Sequence, residues 1–187
     1  MSTLVVENLN GPSSGGNANK VIIPSGQTLD ASAGTILPSA GQIIQVKYAH
    51  ITSTTTFSST SYADASGFSL TITPNYTSSV ILVSIWAGAE YFNNSSVQGA
   101  YDHRLLRDST TIANRSWYNY VNNSHYPGDV YNTFTLQHAD TPSTTSAITY
   151  KLQGRKYAGS SGNANWVIND SNGGSSTAAM TVMELAQ

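Results

Sequence analysis

The clearest strand pattern in the chain lies in residues 67–91, which read GFSLTITPNYTSSVILVSIWAGAEY. The first part of this stretch alternates between apolar and polar side chains with a period of two. The apolar positions are Phe68, Leu70 and Ile72. Strict alternation of this kind is typical of a β-strand with one face in the core and the other in solvent. Residues 68–72 are therefore predicted to form an edge-like strand of a sheet.

A proline and a polar turn separate this strand from a more apolar one. Pro74 has no N–H to donate to a strand ladder, so the first strand ends there. Residues 75–79 are polar and favour a turn. Residues 80–86, VILVSIW, are almost wholly apolar, rich in β-branched side chains and too few for a good helix. They predict a central strand covered on both faces, with Trp86 in the core.

The rest of the chain repeats short apolar or alternating runs, separated by turns of Gly, Asn, Ser and Pro. No segment has a persuasive 3.6-residue helical period. About nine strands are predicted, at residues 44–48, 68–72, 80–86, 97–107, 111–117, 133–138, 147–157, 166–168 and 178–185. This number and spacing of strands predict an all-β fold, a single β-sandwich or jelly roll.

Charged residues are scarce, at 10% of the chain against a globular average of roughly 25%. The formal net charge of −2 supplies no basic surface, so nucleic acid is not expected as a partner. The absence of Cys excludes disulfides, zinc–thiolate sites and cysteine nucleophiles. No window approaches the ~20 apolar residues of a membrane helix, and the N-terminus does not resemble a signal peptide.

The chain is predicted to divide into an extended N-terminal segment, residues 1–40, and a sandwich domain, residues 41–187. A linker-like run of Gly, Ser and Asn occupies residues 10–19. Small apolar islands follow, at residues 21–23, 29 and 36–37, each too small to form a core within one chain. Several parallel copies could bury these islands together as an oligomeric stem. An extended arm strapped onto the domain is the equal alternative.

No catalytic motif is present, and the chain is expected to be neither an enzyme nor a cofactor or metal protein. HExxH and the GxxxxGK[ST] phosphate loop are missing, and the Gly-Ser strings are linker-like, including GPSSG at residues 11–15, which has the GxSxG spacing but lies outside any strand-to-helix pattern. A glycosidase would need a positioned carboxylate pair; the candidates are Glu90, Asp102 and Asp129. For Asp102, an ion pair with Arg104 or Arg107 is favoured over a catalytic role.

One predicted loop, residues 117–131, concentrates aromatic and amide side chains. Its candidate contact residues are Trp117, Tyr118, Tyr120, Asn122, His125, Tyr126, Asp129 and Tyr131. Aromatic rings stack on sugar faces, and amides and carboxylates bond sugar hydroxyls. The same side chains suit a protein interface or a cap over the core. A glycan or receptor contact, an interface and a core role therefore stay open for this loop.

Four segments of the chain resemble modules of tail fibres and related virion proteins of tailed phages, especially phages of marine cyanobacteria and other marine bacteria. They are residues 41–84 (GQIIQVKYAHITSTTTFSSTSYADASGFSLTITPNYTSSVILVS), 101–113 (YDHRLLRDSTTIA), 178–185 (AAMTVMEL) and 21–35 (VIIPSGQTLDASAGT). The resemblance implies a homotrimeric virion appendage with a jelly roll of the tumour-necrosis-factor type. Residues 1–40 would then contact other virion proteins.

Three functions follow from these observations. The leading hypothesis is a non-enzymatic tail fibre or knob, assembled in the host cytoplasm, whose residues 41–187 adsorb to host surface glycans. A second is a capsid decoration protein that clamps neighbouring shell subunits. A third, an enzyme that trims surface polysaccharide, would need Glu90, Asp102 or Asp129 paired in a cleft.

Overall fold

A computed structural model describes residues 11–16, 18, 20–28, 38–93, 99–119, 130–156, 165–169 and 177–187. For residues 88–93, 99–100, 117–119, 130–132 and 165–166 only the backbone is described. The chain divides into two compact units, Met1–Leu37 and Pro38–Gln187. Within the described ranges the second unit contains strands and turns and no helix, so the all-β prediction is confirmed.

Ten strands form two antiparallel sheets. They are β1 (Ile43–Ile51), β2 (Thr55–Phe57), β3 (Ala63–Ile72), β4 (Val80–Asn93), β5 (Gly99–Arg107), β6 (Thr110–Asn119), β7 (Val130–Asp140), β8 (Ile148–Lys156), β9 (Asn165–Ile168) and β10 (Ala178–Leu185). Sheet A contains β1, β2, β4, β7, β9 and β10, with β4 in its centre. Sheet B has the order β3-β8-β5-β6.

The pairing of the eight long strands is that of a hairpin wound into a jelly roll. The first of them pairs with the last (β1 with β10) and the second with the seventh (β3 with β8). The third pairs with the sixth (β4 with β7), and the fourth with the fifth (β5 with β6). All four pairs are antiparallel. A two-sheet, eight-strand arrangement of this kind is the jelly roll.

The two short strands extend sheet A along β4. On one side of β4, β10 covers residues 80–87 and β9 covers residues 90–93, while β2 pairs with β9. Asn169, fully buried with a φ of 59°, follows β9. Its side-chain amide donates to the carbonyls of Ile51 and Ser53 at 3.1 and 3.2 Å. These bonds fix the break between β1 and β2 against the end of β9.

The core lies between the two sheets, as a sandwich requires. The side chains of Ala178, Met180 and Val182 on β10 point inward and have no exposed surface. Tyr150 and Leu152 on β8 are equally buried. One cluster of buried residues joins side chains from both sheets. At about 25 cal/mol per Å² of apolar area removed from water, this shared cluster is the main stabilising contribution.

A buried polar contact also ties sheet A to sheet B. Asp140 ends β7, and its carboxylate accepts hydrogen bonds from Arg107 of β5 at 2.9 Å and from the Tyr150 hydroxyl of β8 at 2.7 Å. Burial, followed by the bond to Asp140, raises the pKa of Tyr150, so the phenol stays neutral and donates its proton. The carboxylate therefore has a partner on two different strands of the opposite sheet.

The predicted strands are found in the described residues, but several details differ. Strand β4 continues to Asn93, seven residues past its predicted end, and residues 97–98 and 157, also predicted as strand, lie outside the described residues. Strand β2 was not predicted, because residues 55–57 sit in a polar Ser/Thr run with Phe57 as their only core side chain. Strand β3 begins at Ala63, five residues before the predicted start. Its alternation is broken by a bulge at Gly67, whose φ is 81° and where a Cβ would lie 3.0 Å from Ile51.

Trp86 corrects the prediction that β4 is covered on both faces. Ile81, Val83 and Ile85 point inward and are 0–1% exposed. Trp86 has the opposite parity, points away from the core and is 45% exposed. A strand in a two-layer sandwich has a second layer on one side only, so its apolar outer face remains uncovered within a single chain.

Glu184 is a fully buried carboxylate on β10 that holds the turn before β4. Its oxygens accept from the backbone N–H and side-chain amide of Asn75, at 2.6 and 2.7 Å, and from the Ser79 hydroxyl at 2.6 Å. Gln45 of β1 donates at 3.5 Å. The last strand of the chain thus fixes the turn at residues 75–79, which starts the central strand.

We expect Glu184→Gln to lower the free energy of unfolding by about 2 kcal/mol, because the amide replaces one acceptor by a donor among four donors. The midpoint and slope of urea denaturation measure this change. Asp64→Asn is the matched control, because Asp64 lies on the exposed face of sheet B and its ion pair with Lys151 is worth little. Equal midpoints for the two variants would contradict the structural role of Glu184.

Candidate functional site

The outward side of sheet A carries an apolar face, built from neighbouring strands. Its members are Ile43, Val46 and Tyr48 of β1, Val80 and Leu82 of β4, Ala139 of β7, and Met183 and Leu185 of β10. The register aligns them in rows, with Val46 opposite Met183, Met183 opposite Leu82, and Leu82 opposite Ala139. Ile43, Val46 and Tyr48 are 56%, 52% and 61% exposed. We call this surface the apolar face.

The outward side of sheet B has the opposite character. Arg155 pairs with Asp102 at 2.7 Å, and Lys151 pairs with Asp64 at 3.3 Å. Arg104 and Arg155 both lie over the ring of Tyr62, at 4.0 and 4.4 Å from its centroid. Sheet B thus presents charges that are paired within the chain, a pattern suited to contact with water.

A groove with a volume of about 650 Å³ lies between the edge strands of the two sheets. Strand β6 ends sheet B, and among the described residues β7 pairs with β4 at the edge of sheet A. The groove is lined by Ser84, Ile85 and Trp86 of β4, His103 of β5, Ala113, Asn114 and Arg115 of β6, and Thr135, Leu136 and Gln137 of β7. Its volume is within the range of small-molecule sites, roughly 300–1,000 Å³. We call it the β6–β7 groove.

His103 lies at the inner end of this groove and is 3% exposed. Its ring meets Phe134 edge to face, with 4.8 Å between the ring centroids. Burial, helped by the positive charge of Arg115, lowers the pKa of His103 from 6.5 to about 4. The imidazole is therefore neutral near pH 7, and the formal charge among the residues lining the groove is that of Arg115.

The structure places only part of the predicted aromatic site. Trp117 and Tyr118 belong to β6, where they pair with Tyr101 and Ala100, and Tyr131 belongs to β7. Trp117 was already the last residue of the predicted strand 111–117. Tyr118 and Tyr131 were predicted as loop residues, and this is corrected: antiparallel pairing with β5 and β4 extends β6 and β7 over them. Tyr120, Asn122, His125, Tyr126 and Asp129 lie outside the described residues.

Asp102 forms an ion pair, as the sequence suggested, but with a different partner. Neither Arg104 nor Arg107 binds it; Arg155 of the adjacent strand β8 does, at 2.7 Å. Arg107 instead binds Asp140. Residues two apart on a strand point to the same side but lie nearly 7 Å apart, whereas a cross-strand neighbour lies closer. Of the other two candidate carboxylates, Asp129 lies outside the described residues and the side chain of Glu90 is not described.

The sequence interpretation missed the lining of the β6–β7 groove. Trp86 was assigned to the core, and Asn114, Arg115, Thr135 and Gln137 were left without a role. Ser84 was the available signal, because a polar residue inside the apolar run marks the outward parity that Trp86 shares. No local sequence pattern predicts that β6 of sheet B lies close to β7 of sheet A.

Within the part of the chain that the structure describes, no helix has the length and apolarity needed to cross a membrane. The described side chains also include no group of three His, Cys, Asp or Glu residues placed to hold a metal ion.

No protein-family model matches the chain, and no curated protein matches its sequence. Three solved structures show distant likeness. Dimeric latent PorU from Porphyromonas gingivalis is 10% identical over 91% of this chain and 15% of its own, with a TM-score of 0.38. The VP2 subviral particle of infectious bursal disease virus is 15% identical over 94% of this chain and 46% of its own, with a TM-score of 0.35. The structure of the Gx strain of that virus is 14% identical over 91% of this chain and 45% of its own, with a TM-score of 0.35.

The chain thus spans less than half the length of each of these proteins. With TM-scores below 0.5, these likenesses bear on neither the family nor the function of the chain. The strand pairing described above is what establishes the jelly roll.

The depressed pKa of His103 predicts acid destabilisation. As the pH falls from 6.5 to about 4, the unfolded chain binds a proton that the folded chain does not, so stability decreases and then levels off. We expect this group to contribute about 3 kcal/mol to the decrease. Urea denaturation between pH 7 and pH 4 measures it, and His103→Gln should remove this part of the slope.

His50→Gln is the control, because it removes one imidazole from the exposed outward side of β1 and leaves the core unchanged. That variant should keep the wild-type pH dependence. A wild-type slope in His103→Gln as well would show that other groups account for the acid sensitivity.

Proposed function

We propose that the chain is a non-enzymatic structural subunit of a phage virion, a tail fibre or knob that assembles as a homotrimer and attaches to host surface glycans. The apolar face of sheet A is the observation that carries this proposal. The jelly roll is compatible with it, because viral capsid proteins and lectins both use this architecture. The resemblance of four sequence segments to phage appendage modules supplies the virion context.

The size of the apolar face supports a contact with another protein surface. The face occupies two adjacent rows across four strands about 4.8 Å apart, with Tyr48 beside them, and covers roughly 250 Å² of the outward side of sheet A. The largest apolar patch on a soluble protein, typically a few hundred Å², is often functional. None of the eight residues of the face is charged. The face is therefore matched to an uncharged partner surface.

A second copy of the chain is the partner that fits best. Only 10% of the chain is charged, so the chain itself supplies weakly charged surface. Most homo-oligomers have closed rotational symmetry. When the same face of two copies forms the contact, the result is a dimer; when the face contacts a different surface of the next copy, a closed ring such as a trimer can form. The proposed trimer therefore places the apolar face against another surface of the neighbouring copy, around a threefold axis.

The N-terminal unit has its own exposed apolar residues. Val21, Ile22 and Ile23 are 50%, 54% and 43% exposed. They form one of the apolar islands that a single chain was expected not to bury. Burial of these residues between parallel copies would stabilise the oligomer by about 25 cal/mol for each Å² of apolar area removed from water. Both units thus favour assembly by independent observations.

We expect Val46→Asp to convert the proposed trimer into monomers without unfolding the chain. Val46 is half exposed in the single chain, so a carboxylate is tolerated there, but it would lose water in a contact with another copy. Native mass spectrometry or light scattering of the full chain measures the mass. Ser69→Asp, on the exposed side of sheet B opposite Lys151, is the matched control and should stay trimeric.

A dimer in the wild type would overturn the threefold arrangement. A wild-type monomer at micromolar concentration would overturn self-assembly altogether and favour a decoration protein whose apolar face meets a capsid subunit. Immunogold labelling of purified virions tests the position: label on the tail supports the proposal, whereas label on the shell contradicts it.

A further inference from the structure

We infer that the outward side of sheet A carries a binding site for a neutral oligosaccharide, beside the apolar face. The site is a band of side chains from β1, β10, β4 and β7. We call it the Trp86 band, and its members are His50, Ser84, Trp86, Thr135, Gln137 and Thr181. The inference rests on the proposed function only for the source of the sugar, a host surface glycan; binding itself does not depend on assembly.

The strand register places the whole band on one surface. Directly opposite residues of antiparallel strands point to the same side of a sheet, and Trp86 points away from the core. Strands lie about 4.8 Å apart, so a row that crosses four strands is about 14 Å long, which suits an oligosaccharide rather than a single sugar. The two rows of the band are Thr181–Ser84–Gln137 and His50–Ala179–Trp86–Thr135.

Trp86 provides a surface on which a sugar ring can stack. Ala179 and Thr135 lie opposite it, and Ser84 lies two residues before it on β4. None of these small side chains can cover an indole ring, and Trp86 is 45% exposed. A pyranose presents a face of C–H groups that packs against the face of an aromatic ring. The ring is carried by a strand, a rigid support that needs no ordering on binding.

The side chains around Trp86 match the hydroxyl groups of a sugar. Thr135, Gln137 and His50 are exposed, and Ser84 and Thr181 are half-buried. Each hydroxyl both donates and accepts a hydrogen bond, the amide of Gln137 offers two donors and one acceptor, and an imidazole adds a further polar group. Neighbouring hydroxyls of a pyranose need this mixture of donors and acceptors.

The composition of the band favours a neutral sugar over other occupants. None of its six members is Asp, Glu, Lys or Arg, so an acidic sugar finds no cation to pair with. A second copy of the chain fits the apolar face better, because an apolar contact over the band would bury hydroxyl and amide groups without hydrogen-bond partners. Sugar hydroxyls supply those partners while the sugar ring covers Trp86.

Three neutral hexasaccharides test the proposal: cellohexaose, maltohexaose and mannohexaose, each titrated into the full chain by calorimetry or ligand-observed NMR. We expect at least one of them to bind, and to bind more tightly than hexagalacturonic acid. Trp86→Ala should weaken this binding by roughly tenfold or more, because it removes the stacking surface. Trp86→Phe should retain part of the binding. Gln137→Ala, at an exposed position, should weaken it by roughly threefold or more.

Leu82→Ala is the matched control, because Leu82 lies on the same strand and on the same outward side as Trp86 but belongs to the apolar face. It should leave the affinity for the sugar unchanged. No binding of any neutral probe, tighter binding of hexagalacturonic acid, or an equal loss in Leu82→Ala and Trp86→Ala would each overturn the proposal. Circular dichroism of each variant separates loss of binding from loss of fold.

The outcome is separable from that of the proposed function. Val46→Asp should bind the neutral probe like the wild type, and a monomeric wild type that binds through Trp86 would retain this inference and overturn the trimer. A trimeric chain that adsorbs to host cells but binds no neutral probe would retain the proposed function and overturn this inference. A lower mass of Trp86→Ala, with no sugar bound by the wild type, would assign the band to the contact between copies instead.

Discussion

The structure depends on one constraint: β4 is apolar on both faces, and a two-layer sandwich covers only one of them. Ile81, Val83 and Ile85 fill the core, while Leu82 and Trp86 point away from it. Because β4 lies between β10 and β7, its outward residues are continued by those of its neighbours. The result is an apolar face on sheet A next to a groove at the sheet edge.

Polar contacts then fix the sheets around this strand rather than supplying most of the stabilising free energy. Glu184 holds the turn that leads into β4, and Asp140, at the end of the neighbouring strand β7, binds Arg107 and Tyr150 of sheet B. Each carboxylate is buried and has several donors, as a buried carboxylate requires. These contacts set the register of strands whose apolar residues alone would permit slippage.

The contrast between the two outward surfaces connects fold and proposed function. Sheet B pairs its charges within the chain, through Asp102 with Arg155 and Asp64 with Lys151, and has no need of a partner to cover it. Sheet A has no such charges on its apolar face. Assembly through sheet A would keep sheet B in water, and the β6–β7 groove lies at the edge, where a ligand can reach it.

The amino-acid sequence predicts the all-β class and most strand positions, because alternation is a local property of a strand. It did not determine the exposure of Trp86, the partner of Asp102 or the groove between β6 and β7. Each of these depends on which strands become neighbours, and a jelly roll pairs strands that are distant in sequence. Only the tertiary structure brings Arg115 and Gln137 to one groove, because the edge that they share is created by two separate sheets.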